Sequence, residues 1–442
     1  MMESEKLTYK SVNRDIIDTL SPPGRRYWIV IAILAAVMSW ALGCFLYQCL
    51  VGLGVCGFNW PVCWAPYITS FVFWVGIAHS GTLVSAVLYL FRARWRSAIA
   101  RSAEAMTVIA IMTAGSFPVI HLGRVWKIYY LIPYPNQRTL WPSFKSPLMW
   151  DVLAVTTYLI VSTMFFCVGL IPDLASVREG TTGWRRKVYA ILSLGWQGQS
   201  GRWQRYKYAY MLFAGIATPL VVSVHSVVSW DFAMAILPGW HSTIFAPYFV
   251  AGAIHSGLAM VLVLLIPMRK MFRIQHLITV HHLEITAKLM IVTGLIVGYA
   301  YVIEHFVASY SNNIWEAALY ANRVNGHYAW AFWSMVVCNA VAPLFFFFKR
   351  VRTSVAGLFA IAVLVNYGMW IERFVIIVTS LAHDYVPYSW GNYTPRWVEM
   401  SIIAGSFAWF FMAFALFAKH LPAVSMMEVK DVLPPPREGE PR

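Results

Sequence analysis

Four ionisable side chains in this sequence could do acid–base chemistry together: His121, Asp151, Asp231 and Arg373. An imidazole accepts a proton near neutral pH, and a neighbouring carboxylate can orient it or take up a second proton. Arginine stays charged, so Arg373 would pair with carboxylates rather than serve as the base. This combination suits a donor that releases two protons and two electrons, such as a quinol. Alternatively, each aspartate is an ordinary solvated carboxylate at a helix end.

Ten apolar stretches must hold these residues in place. The hydrophobic fraction is 59%, only 12% of residues are charged and the mean hydropathy is +0.61, whereas a soluble domain usually carries about 25% charged residues. Each stretch is close to the roughly 20 residues that cross a bilayer. We predict an all-α integral membrane protein with about ten transmembrane helices, at 27–53, 67–91, 105–122, 149–172, 208–229, 246–268, 284–309, 327–348, 353–378 and 397–418.

Lysine and arginine are distributed unequally between the connecting loops. Of the 34 Lys and Arg residues, 26 lie on one side of the predicted membrane and 6 on the other, which is a strong positive-inside signal. We therefore predict that both termini are cytoplasmic. The dispersal of these residues among short loops argues against a nucleic-acid-binding surface, despite the net charge of +15.

A second set of ionisable residues lies within or beside the predicted helices at several depths. An ionisable side chain in a membrane costs at least ~2.5–3.5 kcal/mol, so each is a functional candidate. Together they could form a path for protons through the protein. Alternatively, the histidines are hydrogen-bonded core residues, and the residues nearest the cytoplasm form a solvated rim. The set consists of His79, His225 and His255 near the middle, Glu304 near the outer face, and Glu104, Glu284 and Lys288 near the inner face.

The sequence offers little for a metal or a haem. None of the six cysteines belongs to a CxxC pair, which argues against a zinc or iron–sulfur site built by this chain alone. Stacked b-type haems need two histidines well separated along one helix, and no predicted helix has them. We therefore expect this chain to bind neither metal nor haem. Cys56 and Cys63 share a loop predicted to lie outside, where they form either a disulfide or two free thiols.

One hexapeptide occurs twice with matched surroundings. Gly-Ile-Ala-His-Ser-Gly at 76–81 recurs as Gly-Ala-Ile-His-Ser-Gly at 252–257, each downstream of Ala-Pro-Tyr. Both copies lie in predicted helices that run from outside to inside, so the repeat is parallel. We predict two four-helix bundles, at 67–229 and 230–378, and the small residues of the motif would let helices approach closely.

The remaining segments flank these two bundles. We predict a cytoplasmic N-terminal segment at 1–26, which lacks the apolar core of a signal peptide. A flanking helix with its outer loop follows at 27–66, and an outer loop with the last helix at 379–418. Residues 419–442 are predicted to be a disordered cytoplasmic tail, because its end is rich in proline and charge.

On these residues the sequence resembles the NrfD-like family, the polysulfide reductase membrane subunits. The resemblance covers nearly the whole chain and rests on the two histidine-bearing repeats and on four further stretches. Within the family the sequence is similar to the larger, ten-span branch, to which the ActC proteins of alternative complex III belong. The four stretches are FPVIHLGR, WPSFKSPLMWD, HSVVSWDFA and NYGMWIERF.

The resemblance implies a specific function in a bacterial cell (inner) membrane. Members of this branch bind a quinol near the outer face and carry no haem or metal of their own; menaquinol is the expected donor. Electrons would pass to an iron–sulfur subunit docked outside and then to a multihaem cytochrome c subunit, beside a paralogous NrfD-like membrane subunit. The family's catalytic and quinol-binding residues match His121, Asp151 and Asp231, and its further quinol-binding arginine matches Arg373. Proton translocation is also implied.

Two other functions are alternatives to quinol oxidation. A paralogous subunit of the same complex would share the fold but lack a quinol site, serving as a proton channel or a scaffold. A secondary transporter would also have an internal repeat and midplane histidines. The His–Asp set argues against the first, and the lack of short Gly/Pro-interrupted helices in matched positions argues against the second.

Overall fold

Ten long apolar helices make up most of the protein. The computed structural model describes residues 7–132 and 146–434, and these contain no β-strand. The prediction of an all-α membrane protein with about ten transmembrane helices is confirmed. The helices are α1 (Arg25–Val51), α2 (Pro66–Leu90), α3 (Ala100–His121), α4 (Pro147–Glu179), α5 (Ser200–Ala233), α6 (Phe245–Met271), α7 (Val280–Tyr310), α8 (Ala329–Phe347), α9 (Val355–Ala382) and α10 (Trp397–His420).

Local sequence explains where several helices begin and where two of them change pitch. Proline occupies the first position of α2 and α4, where its missing N–H costs no hydrogen bond. Single π-helical turns interrupt α2 at Leu83–Val87 and α8 at Val337–Val341. Such turns often mark functional positions, and the one in α8 carries the buried Asn339.

The second and sixth helices form the centre of the molecule. In α2 and α6, 83% of the most apolar window is buried, against 11% in α1. Helices α2 to α5 pack in a ring in which each contacts the next and α5 returns to α2, and α6 to α9 do the same. Helices α1 and α10 pack on each other beside α3. These are the neighbours that two four-helix bundles would have, while the predicted bundle boundaries stay a prediction.

The two copies of the glycine–histidine motif face each other where α2 crosses α6. A Cβ added to Gly257 would lie 2.2 Å from Ser80 Oγ and 2.9 Å from the carbonyl oxygen of Ile77. A Cβ on Gly76 would lie 3.5 Å from Ser256 Oγ. Small residues let helices approach this closely within membranes. The close approach that the motif predicted therefore occurs between the two halves of the chain.

The two ends of the helix assembly differ in composition. We call the end that holds the short loops at 92–99, 180–199 and 272–279 the basic end. The opposite end, with loops at 52–65 and 383–396, exposes large aromatic side chains and is called the aromatic end. In the predicted topology the basic end faces the cytoplasm. The longest loop at the aromatic end, predicted at 123–148, is described only in part, because residues 133–145 lie outside the described ranges.

The chain after α10 is folded, contrary to the predicted disordered tail at 419–442. A helix at Met426–Val432 packs against a helix at Tyr9–Thr19 and against the turn at Arg94–Ala98. Ser425 caps it by accepting a hydrogen bond from the backbone N–H of Glu428. The prediction of disorder is wrong for residues 421–434, because composition alone did not show that these side chains find buried partners. Residues 435–442, like 1–6, lie outside the described ranges.

Candidate functional site

Two aspartates from neighbouring helices meet at the aromatic end. Asp151 lies in the second turn of α4 and Asp231 in the last turn of α5, and these two helices pack together. Their carboxyl groups lie within hydrogen-bonding reach of each other. Asp151 is 5% exposed. The structure therefore brings together two of the four residues that the sequence predicts to share a pocket.

The aspartate pair is short of hydrogen-bond donors. Neither carboxylate oxygen of Asp151, nor Oδ1 of Asp231, has a hydrogen-bond partner among the described residues. Buried polar atoms are nearly always hydrogen-bonded, so each exception calls for an explanation. Two carboxylates in contact repel each other, and the repulsion is relieved when a proton lies between them. Such a pair can accept hydrogen bonds and protons from a ligand with hydroxyl groups.

His121 lies at the same end, as the last residue of α3. Its ring meets the edges of Phe58 and Tyr67, with centroids 5.5 Å and 6.5 Å away. The Tyr67 hydroxyl donates to Gln48 Oε1 at 2.5 Å, and Gln48 donates to the Ile120 carbonyl oxygen at 2.8 Å. This aromatic wall fixes the imidazole, and its Nδ1 atom is buried without a partner in the described chain. No described hydrogen bond joins His121 to either aspartate, although α3 packs against α4.

Arg373 has its own partners, deeper in the protein. Its guanidinium lies 3.1 Å from Glu372 Oε1 and stacks over the ring of Phe249 at 4.1 Å. Glu372 is the adjacent residue on α9, and neighbouring residues on a helix point about 100° apart. The long arginine side chain nevertheless reaches it, and Gly252 leaves the room, since a Cβ there would lie 2.9 Å from Arg373 Nη2. Glu372 also accepts hydrogen bonds from Tyr301 and Asn339.

The depth of Arg373 separates it from the aspartate pair. It lies nine residues before the end of α9 at Ala382, or about 14 Å along the helix, whereas Asp231 lies two residues before the end of α5. Its guanidinium interacts electrostatically with His225. Of the four residues predicted to meet in one pocket, the structure thus brings the two aspartates together, whereas Arg373 lies against Glu372 and Phe249.

The three predicted midplane histidines have different surroundings. The rings of His79 and His225 lie 4.7 Å apart, and both side chains are fully buried. Neither ring nitrogen of His225 has a partner among the described residues. His255, the repeat counterpart of His79, hydrogen-bonds Thr293 Oγ1 at 2.8 Å. The rings of His79 and His225 therefore pack together, the apolar ring of Phe249 lies next to both His225 and Arg373, and His255 stands apart.

Glu304 belongs to a polar cluster in the second half of the chain. One of its carboxylate oxygens is buried without a partner in the described residues, and its charge interacts with Arg323. Arg323 is 3% exposed and donates to Thr379 Oγ1 at 2.7 Å and Ser380 Oγ at 3.0 Å. Arg323 is not among the candidates from the sequence, because it lies in the polar segment between α7 and α8, which also holds Glu316. No pattern in that segment sets it apart.

A buried ionic cluster lies near the basic end of the first half. Arg101 lies 2.6 Å from Glu104 and 3.2 Å from Asp173, and all three side chains are buried. The Tyr210 hydroxyl lies 2.7 Å from Glu104 Oε1 and 2.9 Å from Glu428 Oε1, so its one hydrogen can be donated to either carboxylate. A cavity of about 1130 Å³ opens at this end and reaches Tyr210 and Glu428. Sequence reasoning named only Glu104, because Arg101 counted as a loop cation and Asp173 as a residue beyond the span.

Glu284 and Lys288 form a different, more exposed arrangement. Glu284 lies 2.9 Å from Arg352 and 3.1 Å from Lys288. The Lys288 side chain is 51% exposed within the chain. These contacts are those of a surface ion-pair network at the basic end of the second half. Within the repeat, the buried Glu104 therefore corresponds to Glu284, which is partly exposed and forms ion pairs.

The cysteines form no disulfide, and the described residues contain no cluster of metal ligands. All six cysteines are free thiols, including Cys56 and Cys63, between which the disulfide was an open alternative. Cys56 donates to Gln48 Oε1 at 3.2 Å, and its burial raises the pKa of that thiol to about 11. In residues 7–132 and 146–434, no three His, Cys, Asp or Glu side chains are grouped so as to hold a metal ion.

Comparisons with known proteins cover most of the chain. A family model described as "Polysulphide reductase, NrfD" matches residues 54–383, which include α2 to α9. A protein of Halobacterium salinarum named as a dimethyl sulfoxide reductase membrane subunit is 26% identical over 420 residues, covering 89% of this chain and 90% of its own. An Hdr-like menaquinol oxidoreductase integral membrane subunit of Archaeoglobus fulgidus is 20% identical, covering 92% and 96%. A selenate reductase subunit of Mesobacillus selenatarsenatis is 22% identical over 210 residues, covering 46% and 47%.

Proposed function

This chain belongs to the NrfD family of polysulphide reductase membrane subunits, and we propose that it binds a quinol and oxidises it near the aromatic end. As a member of that family it is a membrane subunit of an oxidoreductase complex. The proposal adds the substrate, the site and the direction of electron flow. It also includes the predicted topology, in which the aromatic end faces outward from a bacterial cell membrane.

The observation that carries the proposal is the buried aspartate pair with its unpartnered oxygens. A quinol hydroxyl donates a hydrogen bond, and the carboxyl groups of Asp151 and Asp231 present acceptors that no described donor uses. His121 offers a second unpartnered acceptor at the same end. Oxidation releases two protons and two electrons from the quinol and leaves a quinone. The protons would pass to the carboxylate pair and the imidazole, which are the bases within the site.

The electrons would leave the chain through a partner. We propose an iron–sulfur subunit docked at the aromatic end and, beyond it, a multihaem cytochrome c subunit, as in an alternative complex III type assembly with a paralogous membrane subunit. The aromatic end offers a docking surface, since Trp60, Trp126 and Tyr388 are 81%, 63% and 93% exposed. Large exposed aromatic patches are typical of such surfaces. Menaquinol is the favoured donor, because the name of the Archaeoglobus relative includes that quinol.

A proton path is the second part of the proposal. The ring of His79 packs against that of His225, and the Phe249 ring contacts both His225 and Arg373, which pairs with Glu372. These buried ionisable residues lie near one another in the middle of the protein. The ionic cluster around Glu104 lies between that region and the cavity at the basic end. Ionisable residues within a membrane often mark such routes. The positions of these residues support a proton path, and we propose the route that joins them.

Substitution of the two aspartates tests the proposed site. In the complex purified with its partner subunits, Asp151→Asn and Asp231→Asn should each lower quinol-dependent turnover by about 10²- to 10⁴-fold, the usual contribution of a general base. Asp18→Asn, an exposed carboxylate at the basic end, is the matched control and should keep full turnover. Co-purification of the partner subunits and the complex's redox spectrum report assembly. Full turnover in both site variants would exclude this pair as the quinol site.

A further inference from the structure

An apolar groove lies between α4 and α5, directly below the aspartate pair. Its volume is about 330 Å³. Trp150, Ala154 and Thr157 line it on α4, and Ser223, Val224 and Val227 line it on α5.

The groove begins within about one helical turn of both aspartates. Ala154 follows Asp151 by three residues, and Val227 precedes Asp231 by four. Residues three and four apart are neighbours on a helix surface. The lining extends from Trp150 to Thr157 on α4 and from Leu220 to Val227 on α5, about 10 Å along each helix. The groove therefore runs from the carboxyl pair toward the middle of the protein.

The groove is open on the outside of the helix assembly. Leu153, which lines the groove on α4, and Val222, which lies on α5 outside the lining, are 56% and 54% exposed within the chain, as expected of side chains that face lipid. Its two hydroxyl-bearing residues add little polarity, since Ser223 donates to the carbonyl oxygen of Leu220 on its own helix. An apolar molecule in the bilayer can therefore enter the groove directly from the lipid.

We propose that this groove is the lateral access route and the binding site for the isoprenoid tail of the quinol. The inference rests on the proposed function, and it deepens that function by assigning where the tail lies. A membrane phospholipid is the competing occupant, since its acyl chain is also apolar. The lining, however, begins one residue from Asp151 and four residues from Asp231, and these two carboxyl groups would repel a phosphate. A quinol headgroup ends in hydroxyl donors, which match the unpartnered carboxylate oxygens of Asp151.

A bulkier side chain in the groove should impair the binding of a long-tailed quinol and leave the oxidation of a tail-less quinol unchanged. Ala154→Phe on one wall and Ser223→Phe on the other should each raise the KM for a long-tailed quinol by about tenfold, as the loss of roughly two buried methylene contacts would do. The kcat/KM for a tail-less quinol such as duroquinol should stay within about twofold of the parent. Val222→Phe, which faces away from the groove on α5, should change neither value.

The assay is steady-state quinol oxidation by the intact complex with both substrates. Equal KM values for the long-tailed quinol in parent and both groove variants would overturn the inference, as would equal losses with both substrates. A loss of the same size in Val222→Phe would point to general lipid effects and overturn it too. Failure of the proposed function has a different signature, namely unchanged turnover of the tail-less quinol in Asp151→Asn.

Discussion

At the scale of single residues, three of the protein's buried charge arrangements differ in their partners. Asp151 and Asp231 face each other with unpartnered oxygens, whereas Arg373 pairs with Glu372 and Arg101 bridges two carboxylates. A paired buried charge is compensated, and an unpartnered one is poised for a ligand. The aspartates were predictable because each lies beside an apolar stretch. Arg101 was not, because a count of loop cations cannot show that its side chain turns inward.

The Arg373–Glu372 pair should behave as a compensated buried ion pair. Removal of one partner in Arg373→Leu leaves an unpaired carboxylate and should lower the stability of the purified complex by about 3–5 kcal/mol. The double variant Glu372→Gln with Arg373→Leu should regain most of this loss, because no isolated charge is left. Thermal unfolding in detergent measures both. A double variant that is less stable than the single one would contradict the ion pair's assigned role.

At the scale of elements, the ten helices followed from hydropathy, but their mutual packing did not. The predicted spans and the observed helices agree closely, since the apolar stretches are long and are separated by short polar loops. The repeat showed which helices would approach closely, and Gly257 against Ser80 is that contact. The helix at Met426–Val432 was missed, because a seven-residue amphipathic segment before a proline run has no periodicity long enough to detect.

The crossing of α2 and α6 should tolerate no additional methyl group at Gly257. In Gly257→Ala the new Cβ would lie 2.9 Å from a backbone oxygen, so the helices must separate, at a cost of about 1–3 kcal/mol. Gly215→Ala in α5 has open space around the new Cβ and should be neutral or stabilising. Thermal unfolding of the two variants checks the contrast. Ser80→Gly should rescue Gly257→Ala only in part, because it removes the Ser80 contacts and leaves the Ile77 carbonyl oxygen in place. Equal stability of both alanine variants would show that the crossing is loose.

At the scale of the whole molecule, we propose different functions for the two ends of the helix assembly. The aromatic end holds the quinol site and the docking surface, and the basic end holds the large cavity beside the Glu104 cluster. The distribution of lysine and arginine predicts which end faces the cytoplasm. Sequence could not predict the depth relation between Arg373 and the aspartates, because that depends on how the helix ends are staggered against one another.

Cysteine labelling can test the orientation of the whole molecule. Cys63 is exposed in the loop at the aromatic end, whereas Cys56 is buried in the same loop. A membrane-impermeant maleimide should label Cys63 in intact spheroplasts at pH 8, and Cys63→Ser should abolish the signal. Cys56 should stay unlabelled, because its pKa of about 11 keeps the thiol protonated, and only the thiolate reacts. Labelling confined to inside-out vesicles would reverse the predicted topology.

The central claim is that a quinol headgroup binds at the carboxyl pair of Asp151 and Asp231. The most direct measurement is a cryo-EM map of the intact complex prepared with a quinone or a tight quinone-site inhibitor. We expect headgroup density within hydrogen-bonding distance of the Asp151 carboxyl group, with His121 nearby and the tail along the groove between α4 and α5. Headgroup density at the Arg373–Glu372 pair or in the basic-end cavity, with none beside the aspartates, would contradict it.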